Sequence, residues 1–156
     1  MIEIIYHGDK KRSIETMVID FNGTLAVDGK LVPGVKKKLM ELSKMVKIVV
    51  LTGDTYGTVE KQMTGIGVDT LRFINGDAGI KKQEYVFNIN PELTAVIGNG
   101  YNDLMMSEAA GISVAVIGDE GCYGKLIEKA DIVVLDIHRA LDLFLHPARI
   151  KATLNK

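Results

Sequence analysis

The sequence predicts an α/β fold: a doubly wound, mainly parallel sheet with helices on both faces. Three observations carry that expectation. Short β-branched runs such as Val18-Ile19, Ile48-Val49-Val50-Leu51 and Val96-Ile97 are apolar at consecutive positions, as strands buried on both faces are. Segments of helical periodicity alternate with these runs, which favours parallel strands joined by right-handed crossovers. Each run ends abruptly in carboxylates, amides, hydroxyls or glycines, and in open α/β sheets ligands bind just past the carboxyl ends of the strands.

Taken in order, Met1 to Tyr6 reads as an edge strand and His7 to Ser13 as a polar turn. Glu15 to Asp20 is the first central strand, Gly29 to Pro33 a tight loop, and Val35 to Met45 a helix by its apolar spacing. Val46 to Leu51 is a strand, and Asp54 or Thr55 caps a helix that runs to about Gly65. Asp69 to Ile74 is a strand, Ala78 to Phe87 a helix, and Asn90-Pro91 a break. Thr94 to Ile97 is a strand, and Asn102 to Ala110 a helix that Gly111 ends. Ser113 to Ile117 and Ile132 to Leu135 are strands on either side of a helix from Tyr123 to Lys129, and Ile137 to Leu145 is a last helix. The glycine-rich stretch from Gly118 to Gly124 follows a central strand and reads as a loop near the rim, not as a separate nucleotide site.

With 156 residues, 47% of them apolar, the chain suits one globular domain spanning 1–156. A net charge of −1 gives no electrostatic case for nucleic acid or an anionic membrane. Lys36-Lys37-Lys38 falls on an expected helix and reads as a solvated face. Cys122 is the only cysteine, which excludes an intrachain disulfide and fits a reducing, cytoplasmic compartment. No apolar stretch is long enough to span a bilayer, and His7, His138 and His146 lack metal-ligand spacing. The methionines read as core gap-fillers.

The chemistry concentrates at four places. Val18-Ile19-Asp20-Phe21-Asn22-Gly23-Thr24-Leu25 and Val96-Ile97-Gly98-Asn99-Gly100-Tyr101-Asn102-Asp103 lie about eighty residues apart and put Asp20 and Asp103 at two strand ends on one rim. Acidic groups so placed suit a hard cation and a phosphate. Leu51-Thr52-Gly53-Asp54 adds a hydroxyl and a flexible turn, and Lys81-Lys82 adds a cation. Asp, then Thr, then Lys, then Gly-x-Gly-x-x-Asp resembles the haloacid dehalogenase superfamily of phosphotransferases, over roughly Met17 to Leu145. Any one of these motifs alone is weak; the four in order are specific. Within that superfamily Leu51-Thr52-Gly53-Asp54, Gly98-x-Gly100-x-Asn102-Asp103 and Ala130-Asp131-Ile132-Val133-Val134 resemble the phosphorylation domain of P-type ATPases. The chain is similar to small soluble P-type-ATPase-like phosphatases. Superfamily members carry inserted caps after the first and second motifs, and here both intervals are too short for one. The expected site is therefore open, or covered by a neighbouring subunit.

The resemblance implies an Mg²⁺-dependent phosphohydrolase with an aspartyl-phosphate intermediate. Asp20 would be the nucleophile, its ordinary alternative being a carboxylate that caps a turn. Asp20 and the carbonyl of Asn22 would hold Mg²⁺ together with Asn99 and Asp103. Thr52, Lys82, Gly23, Gly53 and Asn102 would contact phosphate. Lys82 is preferred to Lys81 because it lies four residues before Val86, the superfamily's Lys-x-x-x-apolar spacing. Asp54 reads as a turn or cap residue. Two positions depart from the pattern. Asn22 stands where phosphatases of the superfamily have the Asp that protonates the leaving group and activates water, so hydrolysis of alkyl phosphates should be slow. Asn99 stands where a metal-binding Asp is usual, which should weaken Mg²⁺ binding. The alternative of another class is a phosphate- or metal-binding regulatory module with little turnover. The expected partners are a phosphorylated substrate and, from the partly apolar end from Leu141 to Leu154, a second copy in a homodimer, with neither nucleic acid nor membrane.

Overall fold

The protein is described by a computed structural model covering residues 1–6, 10–53, 58–73 and 76–155. Its central feature is a six-stranded parallel sheet in the order β10-β9-β8-β3-β6-β7. Those strands are β3 (Thr16–Asp20), β6 (Lys47–Thr52), β7 (Asp69–Arg72), β8 (Thr94–Gly98), β9 (Ile112–Val116) and β10 (Ile132–Val134). The chain lays down β3, β6 and β7 outward in one direction, then returns to β3's other side for β8, β9 and β10. The topological switch point therefore falls between β3 and β8, where an open α/β sheet forms its ligand crevice.

The unbroken apolar runs are explained by two cores. Met17, Ile19, Ile48, Val50, Ala95 and Ile97 face one side, packing with α1 (Val35–Leu42), α2 (Thr58–Met63) and α6 (Ile137–Leu145). Their sequence neighbours Val18, Val49, Leu51 and Val96 face the other. There they meet Val86 of α3 (Ala78–Asn88) and Met106 of α4 (Leu104–Ala109). Alternation along a strand then gives no polar face, because neither face is wet. Between β9 and β10 runs α5 (Gly124–Lys129), at the place expected for it.

Several expectations are corrected. The first strand, β1 (Ile2–Tyr6), is not an edge of the central sheet; it pairs antiparallel with β2 (Lys10–Ile14), where a polar turn was expected. The hairpin buries Ile2, Ile4 and Ile14 and leaves Lys11 exposed. The expected loop at Gly29 to Pro33 includes half of a small hairpin, β4 (Ala26–Val27) with β5 (Lys30–Leu31), turning at Asp28-Gly29 with φ values of 50° and 71°. Both are left-handed, as a type I′ turn requires. The helix expected from Asn102 starts with a 3₁₀ turn, Tyr101–Asp103, before α4. A further helix, α7 (Ala148–Leu154), follows Pro147 and packs on β1. Within the stretch from Leu141 to Leu154, the side chains of Leu141, Leu143, Phe144 and Ile150 are buried within the chain. The proposed caps Asp54 and Thr55 lie outside the described residues.

Among the described residues, the stretches between Thr24 and Lys47 and between Thr52 and Ala78 hold only the small hairpin with α1, and α2 with β7. No helix among them is long and apolar enough to cross a membrane.

Candidate functional site

Register brings the expected residues to one edge. In β3, Ile19 pairs with Val50 and with Ile97, so Asp20, Thr52 and Asn99 emerge at the same end of adjacent strands. Helix α3 approaches this edge from the Val86 side. Asp77 caps it, accepting from the N–H groups of Gly79 at 2.8 Å and Ile80 at 3.1 Å. Gly79, Lys82 and Val86 form its buried stripe, at helical spacing, and this aims Lys82 inward. The Lys82 ammonium donates to Asp20 Oδ1 at 2.5 Å and to Asp103 Oδ1 at 2.7 Å, with the lysine side chain wholly buried. Lys81 lies elsewhere, its Nζ 5.9 Å from the centre of the Phe73 ring.

The second carboxylate is held rigidly. Asp103 Oδ2 accepts from the N–H groups of Asn99 at 3.0 Å and Gly100 at 2.8 Å. A Cβ on Gly98 would lie 2.4 Å from Asp103 Cγ, so this approach needs glycine. Both Asp103 oxygens are thus hydrogen-bonded, Oδ1 to the Lys82 ammonium and Oδ2 to the backbone.

On the far side of Asp20, the Thr24 hydroxyl lies 3.3 Å from Asp20 Oδ2 and 3.0 Å from Asn99 Oδ1. Asn99 Nδ2 donates to the Gly121 carbonyl at 3.1 Å, which draws the glycine-rich loop after β9 against the site. Gly23 sits at φ +78° with its Cα so close that a Cβ would lie 2.4 Å from Asn99 Nδ2. The turn after β3 is closed by the Gly23 N–H donating to the Ala26 carbonyl at 2.8 Å. It leaves Asn22 exposed beside Asp20. Thr52 is fully buried, Gly53 is exposed, and Asn102 is half-buried in the 3₁₀ turn. Sequence reasoning gave Thr24 no role. Its signal was its place directly after Gly23 in the Asp-x-x-Gly-Thr string, four residues past Asp20.

Electrostatically the cluster holds two acids and one base away from water. Burial pushes the Asp20 carboxyl up to about 7, the Asp103 charge adds to the rise, and Lys82 and Thr24 oppose it. Burial alone would lower the Lys82 pKa, but Asp20 and Asp103 outweigh it and raise it, so Lys82 stays an ammonium. A carboxyl that keeps its proton to about pH 7 when folded, against 3.8 ordinarily, favours folding at low pH. That contribution is lost as pH rises through the folded value. In metal-free protein, Asp20→Asn should therefore melt above wild type at pH 8, with the gap narrower at pH 5. Thermal melts at both pH values check this; a variant no more stable than wild type at pH 8 contradicts it.

Among the described residues, no three His, Cys, Asp or Glu side chains cluster to hold a metal. Oxygens that could hold a hard cation are Asp20 Oδ2 and Asn99 Oδ1, which converge on the Thr24 hydroxyl, with the Asn22 carbonyl two residues past Asp20 in the chain. Oxygens of this kind fit a small divalent ion that keeps several waters.

No family model matches the chain. It is 50% identical over 66 residues to the uncharacterised protein MJ0073 of Methanocaldococcus jannaschii, covering 42% of this chain and 70% of that protein. It is 44% identical over 39 residues to MJ0072 of the same organism, covering 25% of this chain and 89% of that one. Among solved structures, the cobalt-bound deoxy-D-mannose-octulosonate 8-phosphate phosphatase of Haemophilus influenzae superposes with a TM-score of 0.72 at 17% identity, over 92% of this chain and 94% of that one. A putative haloacid-dehalogenase-family hydrolase of Streptomyces avermitilis gives a TM-score of 0.66 at 21% identity, over 85% and 84%. The Moraxella catarrhalis 3-deoxy-D-manno-octulosonate 8-phosphate phosphatase, in complex with magnesium, phosphate and the sugar acid, gives 0.67 at 16%, over 86% and 87%. The chain belongs to the family of MJ0073, and its fold is the haloacid-dehalogenase-like fold without a cap domain.

Proposed function

We propose that this protein is an Mg²⁺-dependent phosphohydrolase that works through an aspartyl-phosphate on Asp20. The observation that carries the reading is the buried Asp20–Lys82–Asp103 cluster at the sheet's switch point. A structural ion pair gains little from such burial, because desolvation offsets the attraction. A nucleophile facing a phosphoryl group gains from a fixed cation in a dry site. The phosphatase neighbours, two of them with a divalent ion, support the same chemistry.

In the first step a carboxylate oxygen of Asp20 attacks phosphorus, and the bond from phosphorus to the leaving oxygen breaks with its electron pair on that oxygen. In the second step a water oxygen attacks phosphorus, the Asp20–phosphorus bond breaks, and phosphate leaves while the carboxylate is regenerated. The water's proton passes to solvent or phosphate. Lys82 offsets the charge of Asp20 and of the phosphoryl oxygens, and Asp103 fixes Lys82. Backbone N–H groups of the turn after Asp20 and the Thr52 hydroxyl are the expected phosphate contacts. Asp20, Asn99 and the Asn22 carbonyl would hold Mg²⁺, which supplies further neutralisation of phosphate charge.

Asn22 can neither donate nor accept the transferred proton, so substrates whose leaving group needs none are favoured. That same residue, with Asn99, supports the second reading, a regulatory module that binds phosphate and metal. Turnover of acetyl phosphate with Mg²⁺ separates them. The enzyme reading expects turnover that Asp20→Asn abolishes; turnover equal in the two proteins, or none in either, contradicts it.

A further inference from the structure

The site loop carries an aromatic pair that the chemistry above leaves unused. Tyr101 directly follows Gly100, whose N–H holds Asp103, and is 71% exposed. Its ring meets that of Tyr123 edge to face, with centroids 5.3 Å apart and planes at 71°. Tyr123 is tied to the same loop, its N–H donating to the Asn99 carbonyl at 2.8 Å.

A single exposed aromatic residue is ordinary on a protein surface. What distinguishes Tyr101 is that it is braced by a second ring and grows from the turn that positions Asp103. Its exposed ring therefore stands on the loop that carries Asn99 and Asp103, at the carboxyl end of β8. The exposed Asn22, with no proton to give, restricts that leaving group to one that departs as a stable anion. Flat aromatic groups meet both conditions, since they stack on an open ring face and stabilise an attached oxyanion.

Resting on the phosphohydrolase reading, we infer that Tyr101, braced by Tyr123, determines specificity by stacking a planar aromatic leaving group, so that the substrate class is aryl or aromatic acyl phosphates. The phosphorus–oxygen bond breaks with its electron pair on the leaving oxygen, which departs unprotonated as phenolate or carboxylate.

Benzoyl phosphate and acetyl phosphate test this directly. Both release a carboxylate of similar basicity, and only one carries a ring. Wild type should favour benzoyl phosphate in kcat/KM by about tenfold, a usual return for one aromatic stack. Tyr101→Ala should bring the ratio near one, and Tyr101→Phe should keep it. Asp20-dependent turnover of acetyl phosphate with a wild-type ratio near one, or with a ratio that Tyr101→Ala leaves unmoved, overturns this inference alone. Absence of Asp20-dependent turnover of either compound overturns it together with the phosphohydrolase reading.

Discussion

Replacing Lys82 with Met is expected to lower acetyl phosphate turnover by about 10²–10³-fold, the range for loss of one preorganised electrostatic contact. It should also destabilise the fold. Lys82 is the cation shared by Asp20 and the fully buried Asp103. Removing it leaves a buried carboxylate without its counter-charge, which costs about 3–5 kcal/mol. In a chain of this length that corresponds to a fall in melting temperature of roughly 10 °C or more. The two effects separate in a double variant. Adding Asp103→Asn removes the stranded charge, so stability should recover while activity stays low. Thermal melts and kcat for the two single variants and the double variant complete the cycle. A Lys82→Met protein with wild-type turnover would show that the lysine serves only packing.

The second large effect concerns Asn22, which stands exposed beside Asp20 on the turn after β3. Asn22→Asp is nearly isosteric and introduces a group able to carry a proton. Alkyl phosphates, whose leaving oxygen needs that proton, should then turn over about tenfold faster or more, equivalent to roughly 1.4 kcal/mol or more of barrier. Acyl phosphates should gain mainly in the second half-reaction, where the new carboxylate can activate water. Burst kinetics resolve the two steps. Equal or slower rates in both would place Asn22 outside the path of the proton and favour the regulatory reading.

What was legible in the sequence follows from how local the cause was. The strands β3, β6 and β8 showed because burial on both faces makes consecutive positions apolar. The lysine that meets the carboxylates could be singled out because its spacing to Val86 puts both on the buried stripe of α3. The hairpin of β1 and β2 was hidden for the opposite reason. Lys10, Lys11, Arg12 and Ser13 look like a turn, and the partner that covers β1 is α7, at the other end of the chain. Pro147 sits at the start of α7, a position where its missing N–H costs nothing. Asp28-Gly29 did carry a hairpin signal, but strands of two residues leave no alternation to find.

At the site, residue types were readable and partnerships were not. Asp103 could be counted as a carboxylate on the rim. Its assignment to Lys82 depends on the 3₁₀ turn, which folds its second oxygen back onto two backbone N–H groups. Thr24 and Asn99 are 75 positions apart and meet only because β3 and β8 are neighbours. Asn99 read as a metal ligand that had lost its charge. In the folded chain its amide also donates to Gly121, a bond that a carboxylate at that position could not make.

The central claim, that Asp20 carries the phosphoryl group, is tested most directly by trapping it. Protein incubated with acetyl phosphate and Mg²⁺, quenched in acid and digested, should yield one peptide heavier by a phosphoryl group, with the modification on Asp20. Hydroxylamine should remove it, as it does an acyl phosphate, and Asp20→Ala should not acquire it. A modification at any other residue, or one that persists undiminished in Asp20→Ala, would contradict the account.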